Sequence, residues 1–328
     1  IRSPLFIFDP PVLGFILIPS ATYCKDEDSR TACFNCLLFG QVVNSNLWDA
    51  EKVFPGIRTG GIMKKILFIL ALAALVTGVI PGETKFREKP EWKKFFAAEG
   101  VTGTIVVVDE RNGDRLVCDS ERAGTRFLPA STFKVPHALF ALDAGVVSDE
   151  FQLFKWDGVK REMEGWNRDQ TLRSSMRYSV VWLYQEFARK LGDAKEKAYL
   201  EKIGYGNADP SGGIDRFWLD GGLRISAFEQ VDFLKRLYKN ELPFRKEHQL
   251  LVKDIMVVEA NRKYILRAKT GWTGRTEKQI GWWVGWVELD DGPVFFALNI
   301  DMPGGAKDTP KREAISRAVL GSIGALPK

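Results

Sequence analysis

The chain is poor in the residues that build metal centres and disulfide frameworks: its 328 residues include four cysteines and two histidines. Cys24, Cys33 and Cys36 all precede Met63, so a domain downstream of that methionine has Cys118 alone and no internal disulfide. Cys33-Phe34-Asn35-Cys36 has the gap of a zinc knuckle or a redox pair, but no second Cys or His pair completes a site, and it reads as incidental. His137 and His248 are too few for a multi-histidine centre, so no metal is expected. A Ser-His-Asp triad survives the count, yet His137 falls on the same expected helix as Ser131, a poor geometry for contact. Runs of five or more like charges are missing. The net charge of +5 is spread among nearly balanced acids and bases, and aromatics do not cluster with basic residues, so nucleic acid is not an expected partner. Repeats and low-complexity segments are missing too.

What is present is enough apolar sequence, 45% of the chain, for one domain of about 200 to 250 residues with a full core. Met63 is the first methionine, followed by Lys64-Lys65 and the apolar run Ile66 to Val79. That layout is a secretory signal peptide, assigned to residues 63–82 with cleavage after Gly82; an uncleaved membrane anchor is the alternative, and no stable anchor is expected. Residues 1–62 read as translated upstream sequence outside the fold, with Gly60-Gly61 compatible with a purine-rich ribosome-binding site in the message; a small extra domain is the alternative.

The domain proper is assigned to residues 83–328. Thr104 to Val108 and Arg115 to Cys118 read as a hairpin about the Asn112-Gly113 turn. Val180 to Leu191, Phe228 to Leu237 and Gln249 to Val257 carry apolar residues at helical spacing. Strands return at Ile265 to Thr270, Gly281 to Leu289 and Val294 to Asp301, the last two joined through Asp291-Gly292, and Pro310 to Ile323 closes as an amphipathic helix with proline in its first turn. Strands at both ends with helices between them predict an α+β fold: an antiparallel sheet of five or more strands, flanked by N- and C-terminal helices, with an inserted all-helical lobe.

The chain has one Ser-x-x-Lys, Ser131-Thr132-Phe133-Lys134, at the start of an expected helix through Leu139. Spacing by three puts both side chains on one face, and a helix N-terminus offers backbone N–H groups to a developing negative charge. Alone, the same residues are as readily a capping serine beside a solvated lysine. Likewise Ser179 could cap the following helix, Tyr205-Gly206-Asn207 could be a plain turn, and Lys269-Thr270-Gly271 could be an exposed strand end.

Taken in order, Ser131-Thr132-Phe133-Lys134, Ser179-Val180-Val181, Tyr205-Gly206-Asn207 and Lys269-Thr270-Gly271 resemble the motif set of the class D, oxacillinase-type serine β-lactamases, a branch of the penicillin-recognising serine enzymes. The resemblance runs from about Glu83 to Lys328 and includes Phe140 to Gly145 and Arg267 to Trp272. It implies a β-lactam hydrolase, secreted and periplasmic in a Gram-negative bacterium, with β-lactam antibiotics as its partners. A peptidoglycan transpeptidase or carboxypeptidase and an acylated sensor domain are the alternatives. It further implies Ser131 as nucleophile, Lys134 carboxylated by CO2 as base, Trp218 hydrogen-bonded to that carbamate, and Ser179 as proton relay. The N–H groups of Ser131 and Trp272 would form the oxyanion hole, and Val181, Lys269, Thr270, Gly271 and Arg312 the substrate site. Lys134 needs burial to be neutral, for which Phe133, Val135 and Val181 are available. No cofactor beyond CO2 or bicarbonate is implied. Oligomeric state and substrate spectrum are not legible.

Overall fold

The computed structural model describes residues 85–327. The segments assigned to residues 1–62 and 63–82, and the boundary at Glu83, lie outside the described residues. The sheet has seven strands: β1 (Arg87–Glu88), β2 (Gly103–Asp109), β3 (Asp114–Cys118), β4 (Val257–Ala260), β5 (Ile265–Trp272), β6 (Ile280–Leu289) and β7 (Gly292–Asp301), in the order β1-β3-β2-β7-β6-β5-β4. Every pairing is antiparallel except the two-residue β1, which joins β3 in parallel and makes the sheet mixed.

Strand alternation sorts the core into two layers. Ile105 and Val107 of β2, Trp283 and Val287 of β6, and Phe296 and Leu298 of β7 pack with Trp92, with Phe96 of α1 (Lys93–Ala98), and with Ile315, Val319 and Leu320 of α9 (Thr309–Ser322). Their neighbours Val106, Val108, Trp282, Val284, Trp286, Phe295 and Ala297 face the other way, into the helical lobe. A sheet covered on both faces reads as continuous apolar sequence, which is why β6 runs Ile-Gly-Trp-Trp-Val-Gly-Trp-Val with all eight residues buried.

The lobe lies between β3 and β4 in sequence and comprises α2 (Ser120–Gly124), α3 (Lys134–Asp143), α4 (Leu172–Arg177), α5 (Val181–Leu191), α6 (Asp193–Ile203), α7 (Ala227–Lys239) and α8 (Lys246–Ile255). Helix α7 starts at a reciprocal cap: Ser226 accepts from the Glu229 N–H while the Glu229 carboxylate accepts from the Ser226 N–H.

Three sequence expectations need correction. The helix expected through Val257 stops at Ile255, and Val257–Ala260 instead pairs with β5 across a bulge between Val257 and Glu259, because the β-branched Val257-Val258 pair follows the last helical apolar residue. The first hairpin has a four-residue loop, 110–113, closed by the Gly113 N–H to the Asp109 carbonyl at 2.9 Å with Gly113 at φ 78°. The β6–β7 turn is Asp290-Asp291, since Leu289 already pairs with Gly292.

Trp283 packs only in the layer under α1 and α9, so Trp283→Ala is expected to cost about 3–5 kcal/mol of stability through the cavity it leaves. Chemical denaturation should show this, and a variant with unchanged midpoint would contradict the two-layer core.

Candidate active site

Pro129 to Lys134 does not open an α-helix directly. Ala130–Phe133 form a 3₁₀ turn and α3 begins at Lys134. Ala130 sits at φ 48°, a left-handed conformation that costs a non-glycine residue about 1–3 kcal/mol. Its N–H is committed to the Trp218 carbonyl at 3.0 Å and that of Thr132 to the Pro129 carbonyl at 3.2 Å. The N–H of Ser131 between them is uncommitted among the described residues. Ser131 caps nothing, and Lys134 has no exposed surface; its Nζ lies 3.0 Å from the Ser131 Oγ. The reading of a capping serine beside a solvated lysine is overturned.

Lys134 is enclosed by aromatic groups. Its Nζ is 5.1 Å from the Tyr184 ring centroid, and Phe133, Val135 and Val181 are buried in the same core layer. Burial, followed by the charges of Lys269 and Arg275, holds the Lys134 amine well below the usual lysine range. Trp218 is also fully buried, with its ring 5.6 Å from that of Phe133, and its indole Nε1 has no hydrogen-bond partner among the described residues. A buried donor left without an acceptor is costly, so this one marks a place for an acceptor.

Ser179 sits at φ 55°, just before α5. The cap of that helix is Val180, with no side-chain bond, so Ser179 does not cap it. Its Oγ accepts instead from Lys269 Nζ at 3.0 Å. The loop is braced from behind, where Trp166 Nε1 donates to the Tyr178 carbonyl at 2.9 Å and Trp182 Nε1 to the Trp166 carbonyl at 3.0 Å. Val181 occupies the first turn of α5, one residue beyond the cap.

Lys269, Thr270, Gly271 and Trp272 end β5. Lys269 Nζ also donates to the Thr270 carbonyl at 3.0 Å. Burial and then Arg312 pull its pKa down to about 7. Gly271 has no side chain because a Cβ there would lie 2.9 Å from the Pro129 carbonyl oxygen and 3.1 Å from Thr132 Cγ2, so glycine lets the serine turn press onto the strand. Ladder parity then fixes Trp272. Thr273 donates to Ile280 across β6 and Ala268 donates to Met256 on the opposite side, so the N–H groups of Thr270 and Trp272 point away from β6, where β4 has already ended. The Trp272 side chain is 37% exposed and its indole donates to Gln279 at 2.7 Å, which places it at the rim.

Arg312, on the first turn of α9, is buried and not a surface charge. It donates from Nη1 to the Gly271 carbonyl at 2.6 Å and from Nε to the Thr309 carbonyl at 2.8 Å, and burial lowers its pKa to about 10. Gly281 makes room for it, since a Cβ there would meet Arg312 Cδ at 2.8 Å.

Two buried basic groups, Lys269 and Arg312, therefore meet here beside the Lys134 amine, and none of the three has an ion-pair partner among the described residues. The buried acids Asp109, Glu196 and Asp308 are each paired elsewhere, with Arg111, His137 and Lys311. Uncompensated buried charge is expensive, so the arrangement is built to receive an anion. No three His, Cys, Asp or Glu side chains gather into a metal-binding group among the described residues.

Tyr205-Gly206-Asn207 is more than a plain turn, and the Tyr205 ring packs 5.8 Å from that of Phe133 in the serine turn. Gly206, at φ 58°, lies where a Cβ would overlap the Arg224 carbonyl, and Asn207 Oδ1 accepts from the Arg224 N–H at 2.8 Å while its Nδ2 donates to Gly222 at 2.9 Å. The motif pins the loop that follows Trp218. Sequence reasoning missed Tyr184, which shares a helix face with Val181 three residues earlier, and Glu196, which falls in the apolar stripe with Leu200 and Ile203. It also missed Gln230, which donates to the Thr132 hydroxyl at 2.9 Å.

Residues 103–321 match the family of the penicillin-binding protein transpeptidase domain. The chain is 57% identical to β-lactamase OXA-20 of Pseudomonas aeruginosa, over 80% of this chain and 98% of that protein, and 61% identical to β-lactamase OXA-2 of Salmonella typhimurium, over 73% and 86%. Among solved structures it resembles the class D β-lactamase YbXI from Nostoc, 39% identical with a TM-score of 0.69, covering 71% of this chain and 98% of that one.

The site's charges set a pH dependence for anion binding. A carboxylate ligand favours protonated Lys269, whose free-state pKa of about 7 means that binding must take up a proton at higher pH. Affinity is expected to be greatest below pH 7 and to fall by up to about tenfold per pH unit above it. Lys269→Arg, which stays charged, should flatten that profile in calorimetric titration; a profile unchanged by the substitution would contradict the assignment.

Proposed function

Since the chain belongs to the class D serine β-lactamases, we propose that it hydrolyses the β-lactam amide through an acyl-enzyme on Ser131, with Lys134 as the base in its carboxylated form. The observation that carries this reading is the fully buried Lys134 Nζ at 3.0 Å from the Ser131 Oγ. An amine held neutral there can add CO2, forming a bond from nitrogen to carbon and releasing one proton to solvent. The Trp218 indole N–H, without a partner among the described residues and close to the serine turn, fits as the donor to the carbamate oxygen. Once formed, the carbamate supplies a carboxylate acceptor for the Ser131 proton and later for a proton of the deacylating water.

The remaining steps fall to the chain's own groups. Ser131 Oγ bonds to the lactam carbonyl carbon, and the N–H groups of Ser131 and Trp272 receive the developing oxyanion. The ring C–N bond breaks, and its nitrogen takes a proton from the Ser179 hydroxyl, which the Lys269 ammonium bonded to it replenishes; the proton that the carbamate took from Ser131 then passes to Lys269, restoring its charge and freeing the carbamate. Lys269, Thr270 and Arg312 hold the substrate carboxylate at the end of β5, Gly271 keeps that strand clear, and Val181 lines the wall beside Ser179. Water then cleaves the ester: its oxygen bonds to the acyl carbon as the bond to Ser131 Oγ breaks, and the proton it gives to the carbamate passes on to Oγ. β-Lactam antibiotics are thus the proposed substrates and resistance the biological outcome. No nucleic-acid partner or cofactor other than CO2 enters this reading.

The leader-like segment 63–82 supports export to the periplasm, and no helix among the described residues is long and apolar enough to cross a membrane.

The test is to follow penicillin ring opening and intact mass together, with and without bicarbonate. Multiple turnovers enhanced by bicarbonate are expected. Lys134→Ala should reduce turnover by at least about 10²-fold, the scale of a lost general base, and leave any acyl adduct undischarged. A stable adduct on the unmodified chain without turnover would instead indicate a sensor, and an adduct persisting at the same site in Ser131→Ala would remove Ser131 as nucleophile.

A further inference from the structure

His137 and Glu196 are titratable, wholly buried, and unused by the chemistry above. His137 Nε2 lies 2.7 Å from Glu196 Oε1, and neither side chain has exposed surface. The remaining polar atom of each, His137 Nδ1 and Glu196 Oε2, has no partner among the described residues. Two ionisable groups removed from water for one hydrogen bond contribute little or negatively to stability, and a well-packed apolar pair would serve a core as well. Their place in the fold supplies a reason to keep them.

His137 stands on α3, three residues beyond Lys134 and therefore on the same face. Its ring stacks on Phe133 at 5.0 Å and lies 5.4 Å from the Trp218 indole and 5.7 Å from the Tyr184 ring. Lys134 is itself 5.1 Å from Tyr184, so the imidazole lies against both the Trp218 donor and the aromatic wall around the amine. Glu196 approaches from the first turn of α6, a different helix. A histidine ring packed among aromatics can still turn about its outer torsion, and a fixed hydrogen bond at Nε2 removes that freedom.

We propose that the His137–Glu196 pair is a positioning device for Trp218: the bond to Glu196 fixes the imidazole plane, the imidazole fixes the indole, and the indole N–H is thereby aimed at the carbamate on Lys134. Neither residue touches substrate. The inference rests on the carboxylated-lysine reading, and the quantity it governs is the affinity of Lys134 for CO2.

The experiment is a titration of the full chain with ¹³C-bicarbonate, reading the carbamate resonance by NMR without substrate. Glu196→Leu, which abolishes the hydrogen bond, is expected to raise the half-saturating bicarbonate concentration about tenfold, the scale on which outer partners of a bound group act. Glu196→Gln, whose amide oxygen still accepts from Nε2, should stay within about threefold of the unmodified chain. The double variant His137→Phe with Glu196→Leu restores an apolar core and guards against misfolding of the single variant; it too should bind CO2 about tenfold more weakly. Leu and double variants that titrate like the unmodified chain would overturn the inference, as would a Gln variant as weak as the Leu variant. An unmodified chain with no carbamate resonance would overturn the underlying reading and this inference together, whereas a normal resonance with unshifted variants overturns this inference alone.

Discussion

A lysine amine beside a serine hydroxyl accepts a proton only when it is itself neutral, and at ordinary exposure it is charged by more than three pH units at neutrality. Much of the architecture follows from meeting that condition at Lys134. One face of the sheet carries a helical lobe whose core encloses the amine, and the two nearby cations, Lys269 and Arg312, have no carboxylate partner among the described residues. Loss of water, and then the charges of Lys269 and Arg275, act in the same direction, favouring the neutral amine 3.0 Å from the Ser131 Oγ.

Strain is concentrated at the same place. Ala130, which opens the serine turn, and Ser179, the proposed relay, are two of the five non-glycine residues at positive φ among those described. Each is held by bonds from a separate element: Ala130 by the Trp218 carbonyl, and the Ser179 loop by Trp166 through the Tyr178 carbonyl. The glycines do complementary work, since Gly271 admits the serine turn to the strand edge and Gly281 admits Arg312. The opposite face of the sheet, packed under α1 and α9, delivers Arg312 but is otherwise scaffold. Preorganisation of this kind places donors and cations before substrate arrives.

The long strands were legible because β2, β5, β6 and β7 are apolar over many residues, and α5, α7 and α9 because their apolar spacing is helical. Short elements were not: β1 has two residues and α2 five, too few for any period to declare itself. β4 was absorbed into the preceding helix because apolar residues run on across Ile255 and Met256 into Val257. At the site, the motif residues stood out by type and order, and the structure gathers Ser131, Lys134, Ser179 and Lys269 within hydrogen-bond reach in pairs. What spacing could not convey was burial. The same Ser131-x-x-Lys134 pattern serves a solvated cap, and Arg312 among Lys311 and Glu313 has the look of a surface charge. Nor could one chain segment reveal that Tyr205-Gly206-Asn207 pins the loop after Trp218, or that His137 meets Glu196 from another helix, since those contacts join residues far apart in sequence.

The central claim is that Lys134 is neutral where it sits, and the most direct measurement is the titration of that one side chain. With ¹³C placed at the lysine Cε positions and Lys134 assigned through Lys134→Arg, NMR in CO2-free buffer should show its resonance reaching the neutral-amine position at a pH well below that of the exposed lysines. A Lys134 signal that titrates near 10.4, like a solvent-exposed lysine, would contradict the account.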